Sequence, residues 1–318
     1  MTEVAEKTHA LLSPSGAARW SRCPGSVVLE APFPNDTSKY ARWGTAAHEL
    51  ASWCLETAID ERPGIPNPPV WNPANAEGYL GRIIEVEGHE IEVDMEMADC
   101  VNTYVAHVEE YWEPGDILLI EQSVPLEHIT GEKGATGTSD VIIIKPKRRE
   151  IVCIDLKGGA GVEVYADDNE QTTMYIGGAL EEHDLFHGPF EWATSVIVQP
   201  RRDHISEERI TVGELRERLW ELSEAAQRCH AIIALAPTGM VGPDLNPGEK
   251  QCRWCRAKSV CPALLGEVTT ALGASAGRDD FPDLSLPKQA AAAVVPEDGE
   301  ALAEAMRAAP LIEIWMNG

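Results

Sequence analysis

Three short runs of apolar and β-branched residues constrain the fold of this chain most strongly. They lie at residues 117–124, 139–144 and 151–156, and turn-like segments separate them. Runs of this length and composition are typical of strands, so the three predict consecutive strands. Residues 145–150 are short enough to form a hairpin between the second and the third strand.

The segments around these runs show the three- and four-residue spacing of amphipathic helices. We expect helices at residues 44–60, 92–112, 167–180 and 211–236, and a further strand at 192–199. Residues 13–23 are expected to form a short capped helix that ends at Cys23, and the proline-rich residues 63–75 to form a loop. This order predicts an α/β fold with a mixed central sheet flanked by helices.

The charge balance limits the classes of partner. The 318 residues contain 26 Lys and Arg against 52 Asp and Glu, a formal net charge of −26. A protein that coats nucleic acid with a broad basic surface is thereby excluded, whereas a narrow basic groove is still allowed. The basic residues that could supply such a groove are Lys145, Lys147, Arg148, Arg149, Arg201, Arg202, Lys250, Arg253, Arg256 and Lys258. Trp20, Trp43 and Trp254 lie near them and are candidates for stacking on unpaired bases, with core packing as the alternative.

The sequence gives no sign of membrane insertion or export. No run approaches the ~18 apolar residues of a membrane span, and residues 1–7 lack the basic-then-apolar pattern of a signal peptide. We therefore expect a cytoplasmic protein with no membrane partner.

The eight cysteines fall into two groups. Cys54, Cys100, Cys153 and Cys229 lie among apolar neighbours, where buried inert thiols are expected. Cys252, Cys255 and Cys261 form a C-x2-C-x5-C cluster, and Cys23 lies far upstream in Arg-Cys-Pro-Gly. Four cysteine sulfurs can hold either zinc or an iron–sulfur cluster, and the spacing alone does not choose between them.

A second candidate metal site is expected at one end of the sheet. Asp155 and Lys157 are two residues apart, so strand geometry points both side chains to the same face. If the two strands pair as a hairpin, the carboxylate of Asp140 approaches that of Asp155. Two converging carboxylates repel unless a cation lies between them, which favours Mg²⁺ or Mn²⁺. The alternative is a structural salt bridge between Asp155 and Lys157.

Four motifs carry a resemblance to a nuclease family. Residues 44–48 read Gly-Thr-Ala-Ala-His, 137–140 Gly-Thr-Ser-Asp, 155–157 Asp-Leu-Lys and 171–175 Gln-Thr-Thr-Met-Tyr. In this order they resemble the RecB-like branch of the PD-(D/E)XK superfamily, over residues 13–262. The resemblance implies a restriction-endonuclease-like core and a Mg²⁺- or Mn²⁺-dependent deoxyribonuclease, similar to a phage-encoded group found among recombination genes.

The resemblance also assigns roles to single residues. It implies that His48, Asp140 and Asp155 are metal ligands and that Lys157 is the catalytic lysine. Gln171 and Tyr175 resemble the element that contacts substrate and orients the site. Glu121, on the strand before Asp140, is a candidate additional ligand, with a surface carboxylate as the alternative.

The cysteine layout is part of the same resemblance. AddB-type helicase–nucleases and CRISPR-adaptation exonucleases carry one upstream cysteine and a downstream cluster of three, which hold a 4Fe–4S cluster. Cys23, Cys252, Cys255 and Cys261 match this layout, which implies that the cluster staples the two ends of the nuclease domain together. Zinc is the alternative cofactor. The sequence carries no G-x-x-x-x-G-K-[ST] motif, so unwinding would need another protein.

Together these features predict a nuclease domain at residues 1–265, a linker at 266–300 and a C-terminal helix at 301–318. The expected function is hydrolysis of phosphodiester bonds in DNA, as an exonuclease in phage recombination or DNA processing. Expected partners are single-stranded DNA or duplex ends and a single-strand-binding or recombination protein. The alternative is a non-catalytic nucleic-acid-binding scaffold with a structural four-cysteine metal site.

Overall fold

The fold was analysed in a computed structural model, which describes residues 10–34, 37–60, 70–236, 244–271 and 309–317. The chain divides into two compact units. Residues 1–15 and 36–223 form the first unit, and residues 16–35 and 224–318 form the second. None of the helices in the described ranges is long and apolar enough to cross a membrane.

The regular elements are as follows. The helices are α1 (Ala17–Trp20), α2 (Ser26–Leu29), α3 (Lys39–Leu55), α4 (Met95–Tyr111), α5 (Glu127–Thr130), α6 (Glu170–His187), α7 (Val212–Leu235), α8 (Glu249–Arg253) and α9 (Pro262–Ala271). The strands are β1 (Ile59–Asp60), β2 (Val70–Trp71), β3 (Ile83–Val86), β4 (His89–Glu92), β5 (Ile117–Pro125), β6 (Thr136–Lys145), β7 (Glu150–Leu156), β8 (Trp192–Gln199) and β9 (His204–Thr211).

The first unit is built on a five-stranded mixed sheet in the order β5-β6-β7-β8-β9. The first three strands form an antiparallel meander, and β8 pairs parallel to β7 after the crossover through α6. Every residue of β7 is buried, as expected for a central strand that is covered on both faces. The predicted α/β fold with a mixed sheet flanked by helices is thus confirmed.

Helices α3 and α4 cover one face of the sheet. Their apolar residues, among them Leu50 and Val101, share one hydrophobic core with Val141, Ile143 and Ile154 of the sheet. Each helix begins at a capping side chain: Ser38 accepts a hydrogen bond from the amide of Ala41, and Asp94 accepts one from that of Met97. These caps and this core fix the helices relative to the strands that carry the candidate site.

Helix α6 approaches the sheet closely because Gly178 faces it. A β-carbon on Gly178 would lie 2.7 Å from the carbonyl oxygen of Pro125 and 2.8 Å from Cβ of Val124. Only a residue without a side chain fits this position. Gly178 therefore sets the depth at which α6 lies on the sheet, and α6 carries Gln171 and Tyr175. A β-carbon on Gly177 would instead lie 2.6 Å from the side chain of Leu219 on α7.

The second unit contains all four cysteines of the predicted cluster. Cys252 and Cys261 pack with Leu264, Val268 and Ile314 in a small apolar core. The N-terminal segment of this unit is held by a backbone contact, since the amide of Gly25 donates to the carbonyl of Asp244 over 3.0 Å. Arg19 and Arg256 both pair with the carboxylate of Glu30.

Several predicted boundaries need correction. The helix predicted at 44–60 begins earlier, at Lys39, and ends at Leu55, since Ile59–Asp60 pairs as a strand. The helix predicted at 92–112 begins at Met95, because Glu92 is the last residue of strand β4. The helix predicted at 167–180 runs from Glu170 to His187. The hairpin β3-β4 and the edge strand β9 were not predicted.

The strand at 192–199 and the hairpin between β6 and β7 are confirmed. Residues 266–271 of the predicted linker continue helix α9, and residues 309–316 of the predicted C-terminal segment are helical. The rest of the linker and most of the loop predicted at 63–75 lie outside the described residues. The predicted domain boundaries stay a prediction.

Candidate metal centre

The β6-β7 hairpin brings the two predicted carboxylates together. Val141 pairs with Ile154, so Asp140 and Asp155 are the next residues on the two strands in the same register. One carboxylate oxygen of Asp140 accepts a hydrogen bond from the amide of Leu156 over 2.7 Å. The two carboxylates interact electrostatically, and this interaction raises the pKa of Asp155 in addition to the larger effect of burial.

Helix α3 adds the predicted histidine. Nδ1 of His48 lies 3.0 Å from Oδ1 of Asp140. Burial acts to lower the pKa of His48. The charge and the hydrogen bond of the Asp140 carboxylate together outweigh burial and raise this pKa to about 9. Burial acts to raise the pKa of Asp140, and the His48 imidazolium opposes it, so the pKa of this carboxyl falls below its ordinary value. The protein thus holds a proton at the position where a cation would bind.

Glu121 lies opposite the same carboxylate. Ile120 pairs with Val141 and Gln122 with Ser139, so Glu121 occupies the register position across from Asp140, but its backbone has a φ of +46°. This left-handed conformation is unfavourable for a residue with a side chain, and such strain concentrates at functional sites. Burial, with the Asp140 carboxylate next, raises the pKa of Glu121 to about 7.

His48, Glu121 and Asp140 meet the geometric requirement for a shared ion. Each offers a ligand atom, and these atoms lie within 4.8 Å of one another. Oxygen ligands with one imidazole suit Mn²⁺ and Mg²⁺.

The second half of the site is a hydrogen-bonded chain. Nζ of Lys157 lies 2.8 Å from Oδ2 of Asp155 and donates to Oε1 of Gln171 over 2.9 Å. The side-chain amide Nε2 of Gln171 donates to Oδ1 of Asp155 over 3.1 Å and to the hydroxyl of Tyr175 over 3.3 Å. Gln171 therefore orients the acid and the lysine at once.

Asp155 is the most buried acid of the site, at 2 % exposure. Its Oδ2 is in ionic contact with Lys157 but accepts no hydrogen bond of regular geometry from the described residues. The ammonium of Lys157 offsets part of the cost of burying this oxygen. Because the oxygen has no regular hydrogen-bond donor, it has a lone pair for a cation, and the residues fit a divalent metal.

Two supports of this site were not predicted. The buried hydroxyl of Tyr104 on α4 donates to the carbonyl of Ile154 over 3.0 Å, directly before Asp155. On the other side of Lys157, Arg201 donates to the carbonyl of Gly158 over 3.1 Å, and its guanidinium lies 4.5 Å from the ring centre of Trp43. Sequence spacing carries no signal for either contact, because both partners are distant in the chain.

The four cysteines of the second unit are all buried. The sulfur of Cys23 accepts a hydrogen bond from the amide of Asn246 over 3.3 Å, and that of Cys252 accepts one from Gly248 over 3.4 Å. These donors act to lower the pKa of the two thiols, but burial is the larger effect and raises the pKa of both above its ordinary value. Cys23 and Cys261 interact electrostatically, as do Cys252 and Cys255. The fold thus gathers the distant Cys23 with the downstream cluster.

The other four cysteines are buried, as predicted. Burial raises the pKa of Cys54 and Cys100 to about 11, and that of Cys229 to about 12. These thiols are held neutral, which suits core residues.

Several of the predicted phosphate-binding cations form ion pairs within the protein, and one of the predicted stacking tryptophans is buried. Lys145 is buried and pairs with Asp116, so its prediction as a phosphate contact is wrong. Trp20 is also buried, and its prediction as a stacking residue is wrong. The following exposed or half-buried arginines form ion pairs with glutamates: Arg148, Arg149, Arg201, Arg202, Arg253 and Arg256.

The comparison with protein families gives one match that covers nearly the whole chain. The matched family is described as protein of unknown function (DUF2800), and the match runs over residues 9–317. The chain therefore belongs to the DUF2800 family.

Proposed function

We propose that this protein is a metal-dependent deoxyribonuclease that hydrolyses phosphodiester bonds. The observation that carries the proposal is the meeting of Asp140, Asp155 and Lys157 at one end of the sheet, with one buried oxygen of Asp155 lacking a regular hydrogen bond. A scaffold that only binds nucleic acid has no evident need for this arrangement. The ordered motifs in the sequence support the same reaction class.

The side chains have distinct tasks in this proposal. His48, Asp140 and Asp155, with Glu121 as a further candidate, would hold Mg²⁺ or Mn²⁺. When bound, the ion supplies activation of water and neutralisation of charge on the phosphate. Lys157 is held by Asp155 and Gln171 with its ammonium charged, since the Asp155 carboxylate raises the pKa of this amine against the effect of burial. It would contact a phosphate oxygen.

The test compares isosteric variants of buried site residues with exposed controls. We expect Asp155→Asn and Lys157→Met to reduce Mn²⁺-dependent cleavage of labelled DNA at least ~10²-fold, the scale of a lost electrostatic contact in a transition state. Asp99→Asn and Lys133→Met, at exposed positions of the same unit, should leave cleavage unchanged. Circular dichroism would verify that all four variants are folded.

Full activity in either site variant would refute the assignment. Binding of DNA by the wild-type protein without any cleavage in Mg²⁺ or Mn²⁺ would favour the non-catalytic scaffold instead. A time course on end-labelled linear DNA and on circular DNA would separate exonuclease from endonuclease action.

We propose further that Cys23, Cys252, Cys255 and Cys261 hold a 4Fe–4S cluster. All four thiols are buried in the second unit, where Cys23 interacts electrostatically with Cys261 and Cys255 with Cys252. The choice of an iron–sulfur cluster over zinc rests on the resemblance of this cysteine layout to that of AddB-type helicase–nucleases and CRISPR-adaptation exonucleases.

Anaerobic purification tests this assignment. We expect brown protein with iron and acid-labile sulfide in equal amounts, and loss of both in Cys255→Ser. Cys229→Ser is the matched control, because Cys229 is a buried thiol of the same unit outside the proposed ligand set. Stoichiometric zinc without iron would contradict the proposal.

A further inference from the structure

Trp254 is an exposed aromatic residue on the second unit, between two of the buried cysteines. Its side chain is 70 % exposed, whereas Cys252 and Cys255 on either side are buried. Within the described part of the chain, its ring has no aromatic, cation–π or hydrogen-bonding partner. Its indole face is therefore open to an external ligand.

The other tryptophans near basic residues are already occupied. Trp20 is 1 % exposed, and Trp43 carries the guanidinium of Arg201 over its ring. Of the three predicted stacking residues, Trp254 is therefore the one whose ring face is accessible.

The charge around Trp254 is opposite to that of the whole protein. Residues 249–262 contain Lys250, Arg253, Arg256 and Lys258 against Glu249 alone, in a chain with a net charge of −26. Arg253 pairs with Glu249 and Arg256 with Glu30. Lys250 and Lys258 have no ion-pair partner within the described ranges, so their charges are free for an external anion.

The local backbone holds this surface in place. The amide of Gly248 donates to Sγ of Cys252, and that of Cys255 donates to the carbonyl of Cys252 over 3.1 Å. The side chain of Gln251 donates to the carbonyl of Asn246 over 2.9 Å. A ring held on such a backbone loses little conformational entropy when a ligand stacks on it.

We propose that Trp254, Lys250 and Lys258 form a contact surface for single-stranded nucleic acid. The indole stacks on one unpaired base, and the two ammonium groups neutralise neighbouring phosphates. A duplex hides its base faces, which is why the exposed ring selects the single strand. The choice of nucleic acid over another polyanion rests on the proposed nuclease function.

The test measures binding without cleavage. Fluorescence anisotropy of a labelled oligothymidylate of about 20 nucleotides in EDTA should give a Kd about 5- to 100-fold weaker for Trp254→Ala than for the wild type, the range for one lost base–aromatic stack. Trp254→Phe should retain most of the affinity. Trp220→Ala is the matched control, since Trp220 is also an exposed tryptophan, at 65 %, but is flanked by Glu217 and Glu221.

The charges are tested by salt dependence. The double variant Lys250→Gln, Lys258→Gln should reduce the slope of log K against log salt by about 1.4, because each phosphate contact on a single strand contributes about 0.7. Unchanged affinity of Trp254→Ala for the oligonucleotide would overturn the inference. So would a loss of binding to phosphatidylserine vesicles in this variant while oligonucleotide binding is kept.

The two proposals fail separately. If the wild type cleaves DNA in Mn²⁺ and Trp254→Ala binds the oligonucleotide normally, the nuclease function stands and this surface is wrong. If Trp254→Ala loses affinity and the wild type hydrolyses no DNA, the surface stands and the nuclease function is wrong.

Discussion

Gly44 offers a sharp test of the site, because a glycine inside a helix destabilises the fold and no close contact requires one here. It lies inside α3, one turn before His48, and a β-carbon built on it meets no atom within 4 Å. Glycine within a helix is less favourable than alanine by about 1 kcal/mol. We therefore expect Gly44→Ala to raise the free energy of unfolding by about 0.5–1 kcal/mol and the Tm by about 1–2 °C.

The same substitution should impair the proposed reaction. A glycine with open space at its β-carbon position, one turn before the proposed metal ligand His48, is explained if substrate approaches the backbone there, and the added methyl group would obstruct it. We expect kcat/KM for DNA cleavage to fall at least about tenfold, or about 1.4 kcal/mol. Thermal denaturation and steady-state cleavage of the same preparation would measure both effects.

Gly266→Ala is the control for this experiment. Gly266 lies within α9 in the second unit and also has open space at its β-carbon position. It should gain similar stability and cleave DNA like the wild type. A Gly44→Ala protein that is more stable and fully active would refute the argument that the glycine serves substrate approach. Destabilisation would refute the argument from open space.

Three further predictions concern the proposed metal ligands and α6. Burial acts to lower the pKa of His48, but the Asp140 carboxylate raises it to about 9. An ion that binds at pH 7 must therefore displace the proton of His48, and the apparent affinity for Mn²⁺ should rise about tenfold per pH unit from 7 to 8.5. Calorimetry in buffers of different ionisation enthalpy should show this proton release, and an affinity independent of pH would contradict it. Glu121→Gly should be more stable than Glu121→Ala by about 1 kcal/mol in urea unfolding, because only glycine adopts the observed φ without strain. The reverse order of stability would show that the backbone at this position is not strained. Gly178→Ala should destabilise the fold by about 1–3 kcal/mol through overpacking against Val124, and wild-type stability would exclude close packing there.

Local sequence patterns predicted the central part of the fold well. The runs that became β5, β6, β7 and β8 are apolar and bounded by turns, so their composition alone identifies them. Edge strand β9 escaped prediction because it has two apolar residues among eight, carries the charged run Glu207-Glu208-Arg209, and buries one residue, Ser206. An edge strand is stabilised by its neighbour, and pairing with β8 is invisible in a single segment.

The same limit applies to the site. The spacing of Asp155 and Lys157 predicts a shared face, and the hairpin predicts the approach of Asp140, so these three residues could be placed from sequence. The role of Gln171 as a bridge between Asp155 and Lys157 depends on how deeply α6 lies on the sheet, which Gly178 fixes through its close approach to β5. The engagement of the predicted cations by glutamates also depends on tertiary placement. An excess of acidic residues makes such pairing frequent, but no local pattern tells which cation stays free.

The two ends of the β6-β7 hairpin differ in their balance of acidic and basic groups. At the turn end, Lys145 pairs with Asp116, and Glu150 accepts hydrogen bonds from Thr194 and Arg209. At the other end, Asp140 pairs with His48 and Asp155 with Lys157, and Glu121 is a third acid beside Asp140. Burial, with the Asp140 carboxylate next, raises the pKa of Glu121 to about 7, so a further cation would stabilise its charged form. The proposed divalent metal would compensate this excess of acid.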